Sequence, residues 1–197
     1  SKEFEAIGFF ISDHPLNQFK EIFSDYKIID YQTFVSDINL EQNNVAATLL
    51  KIQERKTSKG TPYAVIKLTD LTSVFELFLF SETLETNRHI LKEGNSLILT
   101  LIKTISGDEK MNRINVRKVT SLKDLFHASI KEITLNINSK KQLDEIRKFL
   151  DNEGKTIVNI NFSDGTDTHN FKLKKLRNVD RKSINLLRNK EISINIH

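Results

Sequence analysis

The side chains able to do chemistry are scattered along the chain. Five histidines, His14, His89, His127, His169 and His197, show no metal-ligand spacing and read as structural or surface residues. Asp164 and Asp167 could share a cation, but they flank Gly165-Thr166 and read more simply as a hairpin turn. No phosphate-binding loop, dinucleotide fingerprint or nucleophile elbow is present, so no active site and no cofactor are expected in this stretch. A set of cations and rings remains. Lys51, Arg55, Lys56, Lys59, Lys67, Lys103, Arg113 and Arg117 are the cations, and Tyr63 and Phe78 the rings. Cations that follow a phosphate backbone, beside flat rings on which bases stack, make a single-strand binding surface. An ordinary solvated face uses the same residue types, and that alternative stays open.

The elements that must position this set follow from periodicity. Residues 45–53, 63–70 and 74–80 read as strands, the last being "VFELFLF". Ser81 is expected to cap a helix with Leu84, Ile90 and Leu91 on its apolar side, stopped by Gly94. A fourth strand, "SLILTLIKTI", runs into the turn Ser106-Gly107-Asp108, and "MNRINVRKV" is the fifth. Five strands with a helix between the third and fourth is the order of an OB-fold barrel. Alternation puts Tyr63, Val65 and Lys67 on one face, and Glu76, Phe78 and Phe80 on one face of the next strand. The all-apolar sets opposite are the expected interior. Glu76 counts against a polyanion directly over that spot, and Phe80 is expected to pack under the following helix.

Ahead of the barrel, Ser12-Asp13 is expected to cap a helix with Pro15 in its first turn and Leu16, Phe19, Ile22 and Phe23 at helical spacing. Beyond it, residues 130–138 read as a strand, and Ser139-x-x-Gln142 as a capping box. The helix so opened buries Leu143, Ile146, Phe149 and Leu150 and stops at Gly154. Two strands, "TIVNINF" and "THNFKLK", flank the turn Ser163-Asp164-Gly165-Thr166. Asp180 caps a last helix containing Ile184 and Leu187, and the chain ends on the strand "EISINI". The fold class is therefore mixed β and α+β: a helical lead-in over 1–43, a five-stranded OB-fold barrel over 44–120 and a small α+β domain over 121–197.

Composition fits this division. The 197 residues are 38% hydrophobic and 28% charged, as in a globular chain. The absence of cysteine excludes disulfide scaffolds and Cys-based zinc sites and suits a reducing cytoplasm. No apolar run approaches the roughly 20 residues of a membrane span, and no signal peptide opens the chain, so no membrane partner is expected. The start at Ser1-Lys2-Glu3-Phe4, without an initiator Met and inside a helical pattern, reads as part of a longer protein. The net charge of +4 is uneven: residues 1–43 carry three basic and eight acidic side chains, 44–120 twelve and eight, 121–197 fifteen and ten. A basic excess in the two later segments points to a polyanion partner.

Two blocks carry a family resemblance. "EFEAIGFFISDHPLNQF" resembles the junction after the helix-hairpin-helix region of the bacterial DNA polymerase III alpha subunit. Its core, Gly8 to Leu16, follows the family pattern Gly-Phe-Tyr-x-Ser-x-His-Pro-Leu except for Phe10 in place of Tyr. The run "VAATLLKIQERKTSKGTPYAVIKLTDLTSVFELFLFSETLE" resembles that family's OB domain in order and spacing, and the last segment resembles its C-terminal domain mainly by position. The resemblance implies a replicative polymerase, a nucleotidyltransferase whose magnesium-bound carboxylates lie upstream and are not matched here. It also implies an OB domain on single-stranded template, a C-terminal domain that docks the clamp-loader tau subunit, and a sliding-clamp peptide before the "GFF" block. Ser73 stands where the family often has Gly, and Tyr63 where it often has Met or another apolar residue; Pro15 makes His14 structural. Two other classes stay open: an RNA-binding barrel for a tRNA anticodon, and a pure interaction module with the barrel as a spacer.

Overall fold

The computed structural model describes residues 13–105 and 112–197, apart from the side chains of Ile105 and Asn112. The helical pattern at the start of the chain, through Ser12, and the turn Ser106-Gly107-Asp108 lie outside the described residues. The chain divides into two compact units, Ser1–Lys123 and Asp124–His197.

In the first unit a 3-10 helix, Pro15–Phe19, runs into α1 (Lys20–Phe23), followed by β1 (Ile28–Ile29) and α2 (Tyr31–Ser36). Five longer strands then form: β2 (Gln42–Lys56), β3 (Pro62–Thr69), β4 (Val74–Leu79), β5 (Ser96–Ile105) and β6 (Asn112–Ser121). The helix α3 (Ser81–Asn87) falls between β4 and β5, and α4 (Leu122–His127) follows β6, beginning in this unit and ending in the next. The sheet order is β4-β3-β2-β5-β6, antiparallel throughout, with β1 added parallel to β2. Number and order of long strands are as expected, but the closed barrel is not found. No ladder joins β4 to β6 among the described residues, so the sheet is open.

Alternation decides which faces are buried. Ala64, Ile66 and Leu68 of β3 and Phe75, Leu77 and Leu79 of β4 join Val45, Ala47, Leu49, Leu97, Leu99 and Leu101 in one core. The strand β2 serves two partners in sequence: residues 42–48 pair with β5 and 48–56 with β3, and its register against β3 shifts between Leu49 and Lys51.

The lead-in is fastened to this sheet by polar bonds. His14 caps the first turn: its Nδ1 accepts the Leu16 N–H at 3.1 Å, and its Nε2 lies 3.5 Å from Thr69 Oγ1. Burial lowers the His14 pKa, against the pull of the Asp70 carboxylate. Asp70, itself buried, accepts the Tyr31 N–H at 2.7 Å on one oxygen. Its other oxygen accepts the Thr72 N–H at 2.8 Å and the Ser73 N–H at 2.7 Å. Ser73 also donates its hydroxyl there at 3.2 Å, so this turn closes on side-chain bonds and does not draw on a positive φ at that residue. Tyr31 stacks on Phe75 with centroids 3.9 Å apart, and Phe34 is fully buried in the core.

The helix α3 departs from expectation at both ends. Phe80 occupies the N-cap position without a side-chain cap bond, making Ser81 the first helical residue. The helix stops at Asn87, so Ile90 and Leu91 reach the core from the turn beyond it. Gly94, at φ +90°, then donates its N–H to the Leu49 carbonyl at 2.7 Å.

The second unit contains β7 (Glu132–Ile137), α5 (Lys140–Phe149), β8 (Glu153–Ser163), β9 (Thr168–Lys172), α6 (Arg181–Arg188) and β10 (Ser193–Ile196). Its sheet order is β10-β7-β8-β9; β7 and β8 are parallel across the α5 crossover and the other pairs antiparallel. Ile133, Leu135, Ile146, Val158, Ile184 and Leu187 form its core. Both expected caps form, Ser139 Oγ accepting the Gln142 N–H at 3.3 Å and Asp180 Oδ1 the Ser183 N–H at 2.8 Å. Gly154 does not stop α5, which ends at Phe149 with Leu150 as C-cap. It lies in β8, where a Cβ would sit 2.5 Å from the Asn178 backbone nitrogen, so its smallness allows two backbones to pass.

Candidate nucleic-acid interface

The β2–β3 hairpin builds the site outward from the core. Thr57 closes its tip, accepting the Gly60 N–H on its carbonyl at 2.9 Å and the Thr61 N–H on its hydroxyl at 3.2 Å. Gly60 takes φ +80°, a conformation costly for a residue with a Cβ. Lys56 and Lys59 stand exposed beside this turn.

Register then sets three rows across the outward face of β2, β3 and β4. Lys51 lies opposite Lys67, which lies opposite Glu76; Gln53 lies opposite Val65, which lies opposite Phe78; Arg55 lies opposite Tyr63. The Tyr63 and Phe78 rings are 6.4 Å apart and tilted by 33°, too close for a base to insert between them but placed to offer two adjoining planes. Phe78 is 55% exposed. Arg55 donates to Gln53 Oε1 at 3.0 Å, which lays its guanidinium along the strand on the side of the rings. On the opposite side of the same hairpin, Glu54 is ion-paired with Arg88. The cation opposite a cation, Lys51 against Lys67, is unfavourable by itself, and Glu76 in the same row offsets it.

The remaining cations are elsewhere. Lys103 points toward the lead-in: its ammonium donates to the Asp37 carbonyl at 2.6 Å and lies 4.7 Å from the centre of the Phe34 ring. Arg113 and Arg117 are exposed on β6, at the far end of the sheet order from β4, and Arg117 donates to Gln42 Oε1 at 3.0 Å. Lys51, Arg55, Tyr63, Lys67 and Phe78 thus share one face, with Lys56 and Lys59 at its tip. Phe80, which alternation sets on the face of Phe78 but which was expected to pack under α3, is 60% exposed instead, at the N-cap where the chain enters the helix.

Among the described residues no three His, Asp or Glu side chains come close enough to hold a metal ion. Among them, too, no helix is long and apolar enough to cross a membrane.

No family model matches the chain. It is similar to the DNA polymerase III subunit alpha of Rickettsia felis, 28% identical over 73% of this chain and 12% of the relative. The same subunit of Rickettsia bellii is 28% identical over 82% of this chain and 14% of the relative. That of Borreliella burgdorferi is 23% identical over 77% and 14%. The chain therefore spans about an eighth of the length of the curated relatives it matches and fits a fragment of that subunit.

Proposed function

We propose that the chain is a C-terminal region of a replicative DNA polymerase alpha subunit that holds single-stranded template on the β2–β4 face and docks the clamp-loader tau subunit through its second unit. The observation that carries the first half is the common exposed face of Lys51, Arg55, Tyr63, Lys67 and Phe78. The strand order, with α3 after the third long strand, supports an OB-type barrel opened between β4 and β6. In such barrels the second and third strands carry the ligand, and here these are β3 and β4.

On this reading Arg55, Lys56 and Lys59 take phosphates at the hairpin tip and release counterions, while Tyr63 and Phe78 each receive a base. Magnesium-dependent nucleotidyl transfer belongs to carboxylates elsewhere in the longer cytoplasmic protein, and no step of it is assigned to these residues. The sliding-clamp contact is placed upstream. The exposed apolar side chains Phe171, Leu176 and Leu186 support a protein partner for the second unit.

The test is fluorescence anisotropy of labelled oligo-dT and a matched duplex, titrated with the chain at several salt concentrations. Tighter binding to the single strand, with a logarithmic salt slope of about −0.7 per phosphate neutralised, is the expected result. Flat anisotropy at high protein concentration would remove the DNA reading. Unchanged affinity after charge reversal at Arg55, Lys56 and Lys59 would return the barrel to a spacer, and preference for an anticodon stem-loop would make it an RNA binder.

A further inference from the structure

We propose that the free edge of β9 takes an extended acidic peptide, which joins the second sheet as a fifth strand. This rests on the reading of the Asp124–His197 unit as a docking unit, and it supplies the place and the chemistry.

The strand β9 ends the order β10-β7-β8-β9 and, among the described residues, pairs only with β8. The direction of its backbone groups follows from two flanking bonds: Asp164 N–H to Asp167 O at 3.2 Å, and Leu173 N–H to Val158 O at 3.0 Å. Bonded pairs alternate along an antiparallel ladder. His169 and Phe171 therefore turn their N–H and C=O groups toward β8, and Thr168, Asn170 and Lys172 turn theirs away. All five residues are exposed.

Edges of this kind are usually blunted by proline, a bulge, lysine or a covering element, and on β9 the lysine device is present as Lys172, which turns away like charge and admits an acidic strand. The β9 register runs unbroken from Thr168 to Lys172 and contains no proline. Phe171 is 57% exposed, with the His169 ring 6.5 Å away, and offers an apolar contact to alternate side chains of an added strand. Charge selects the occupant. Lys172 and Lys174 are exposed at one end of the edge, where Lys175 is already ion-paired with Glu153. Asp164 and Asp167 stand at the other end. The fitting peptide is acidic beside Lys172 and neutral beside the turn.

The experiment uses the whole chain and two fluorescein-labelled short peptides, one alternating glutamate with valine in one half and threonine with valine in the other, and one with lysine in place of each glutamate, followed by anisotropy. The acidic peptide is expected to bind and the basic one not. Asn170→Pro removes an outward N–H that β8 does not use, a change edge strands tolerate, and should weaken binding about tenfold with the circular dichroism unchanged. The pair K172E and K174E, which leaves the backbone intact, should weaken it likewise if the proline variant fails to fold. Equal binding by Asn170→Pro, equal binding of both peptides, or binding of neither would overturn the site. So would self-association of the chain, seen by sedimentation, that Asn170→Pro abolishes. Titration with purified tau subunit separates the two readings: tau binding untouched by Asn170→Pro keeps the docking role and sinks the edge, whereas acidic-peptide binding without tau binding keeps the edge and sinks that partner.

Discussion

The β2–β3 and β8–β9 hairpins begin alike and end differently. Each turns on a glycine of positive φ, Gly60 at +80° and Gly165 at +96°, and each closes with a side-chain oxygen on backbone N–H groups. Beyond the turn, β3 has a strand on either side and buries Ala64, Ile66 and Leu68, while β9 has one neighbour and buries nothing. The turn is local chemistry. Whether the returning strand becomes core or edge is decided by what pairs with its other side.

That contrast breaks most visibly under truncation. Ile66→Ala in β3 is expected to lower the unfolding free energy by about 2–5 kcal/mol. Phe171→Ala in β9 should change it by no more than about 0.5 kcal/mol; urea titration reads both, and equal losses would erase the distinction. Within the β8 half of the second hairpin, Gly154→Ala forces a Cβ onto the Asn178 backbone and should cost about 1–3 kcal/mol, seen as an earlier loss of helical signal in the same titration. Across the β3–β4 face beside the first hairpin, Tyr63→Ala and Phe78→Ala should each remove about 1–3 kcal/mol of oligo-dT binding while thermal melting stays put. A melting shift as large as the binding loss would recast these rings as packing.

The smallest effect separates the two tips by pH. Bonds from the Asp167 and Thr166 N–H groups, then the Thr166 hydroxyl, hold the Asp164 carboxyl down to about 2 from 3.8. A depressed folded pKa means the stabilisation is complete above 3.8 and is lost as pH falls through about 2. The Thr166 and Asp167 amide resonances should therefore titrate near pH 2, while the Thr57-closed tip stays unchanged. Joint movement of both tips would indicate general unfolding instead.

Much of this was legible in the chain itself. Strict alternation in "PYAVIKLT" and "VFELFL" gave both faces of β3 and β4, and the Ser139 and Asp180 caps declare themselves because their partners lie three residues on. What was not legible depends on distant residues. The strand β1 has two residues and exists through its pairing with Asn44 and Val45. Gly154 follows a helix at the spacing of a stop signal, yet its reason is a segment more than twenty residues later. For the candidate site, the face shared by Tyr63, Lys67 and Phe78 was readable from period. The engagement of Lys103 with Phe34 and Asp37 was not, since composition cannot tell a cation facing a ring from one facing water.

The Asp70 carboxylate has a consequence for how the first unit opens. It ties the Tyr31 amide to the Thr72 and Ser73 amides across 39 residues of chain, so releasing the short helix α2 strips a buried carboxylate of a partner and loosens the β3–β4 turn together with it. Native-state hydrogen exchange should find those three amides leaving protection in a single event. In that sense the lead-in and the turn beside the β3–β4 face form one foldon, although neither could be recognised as such from its own stretch of sequence.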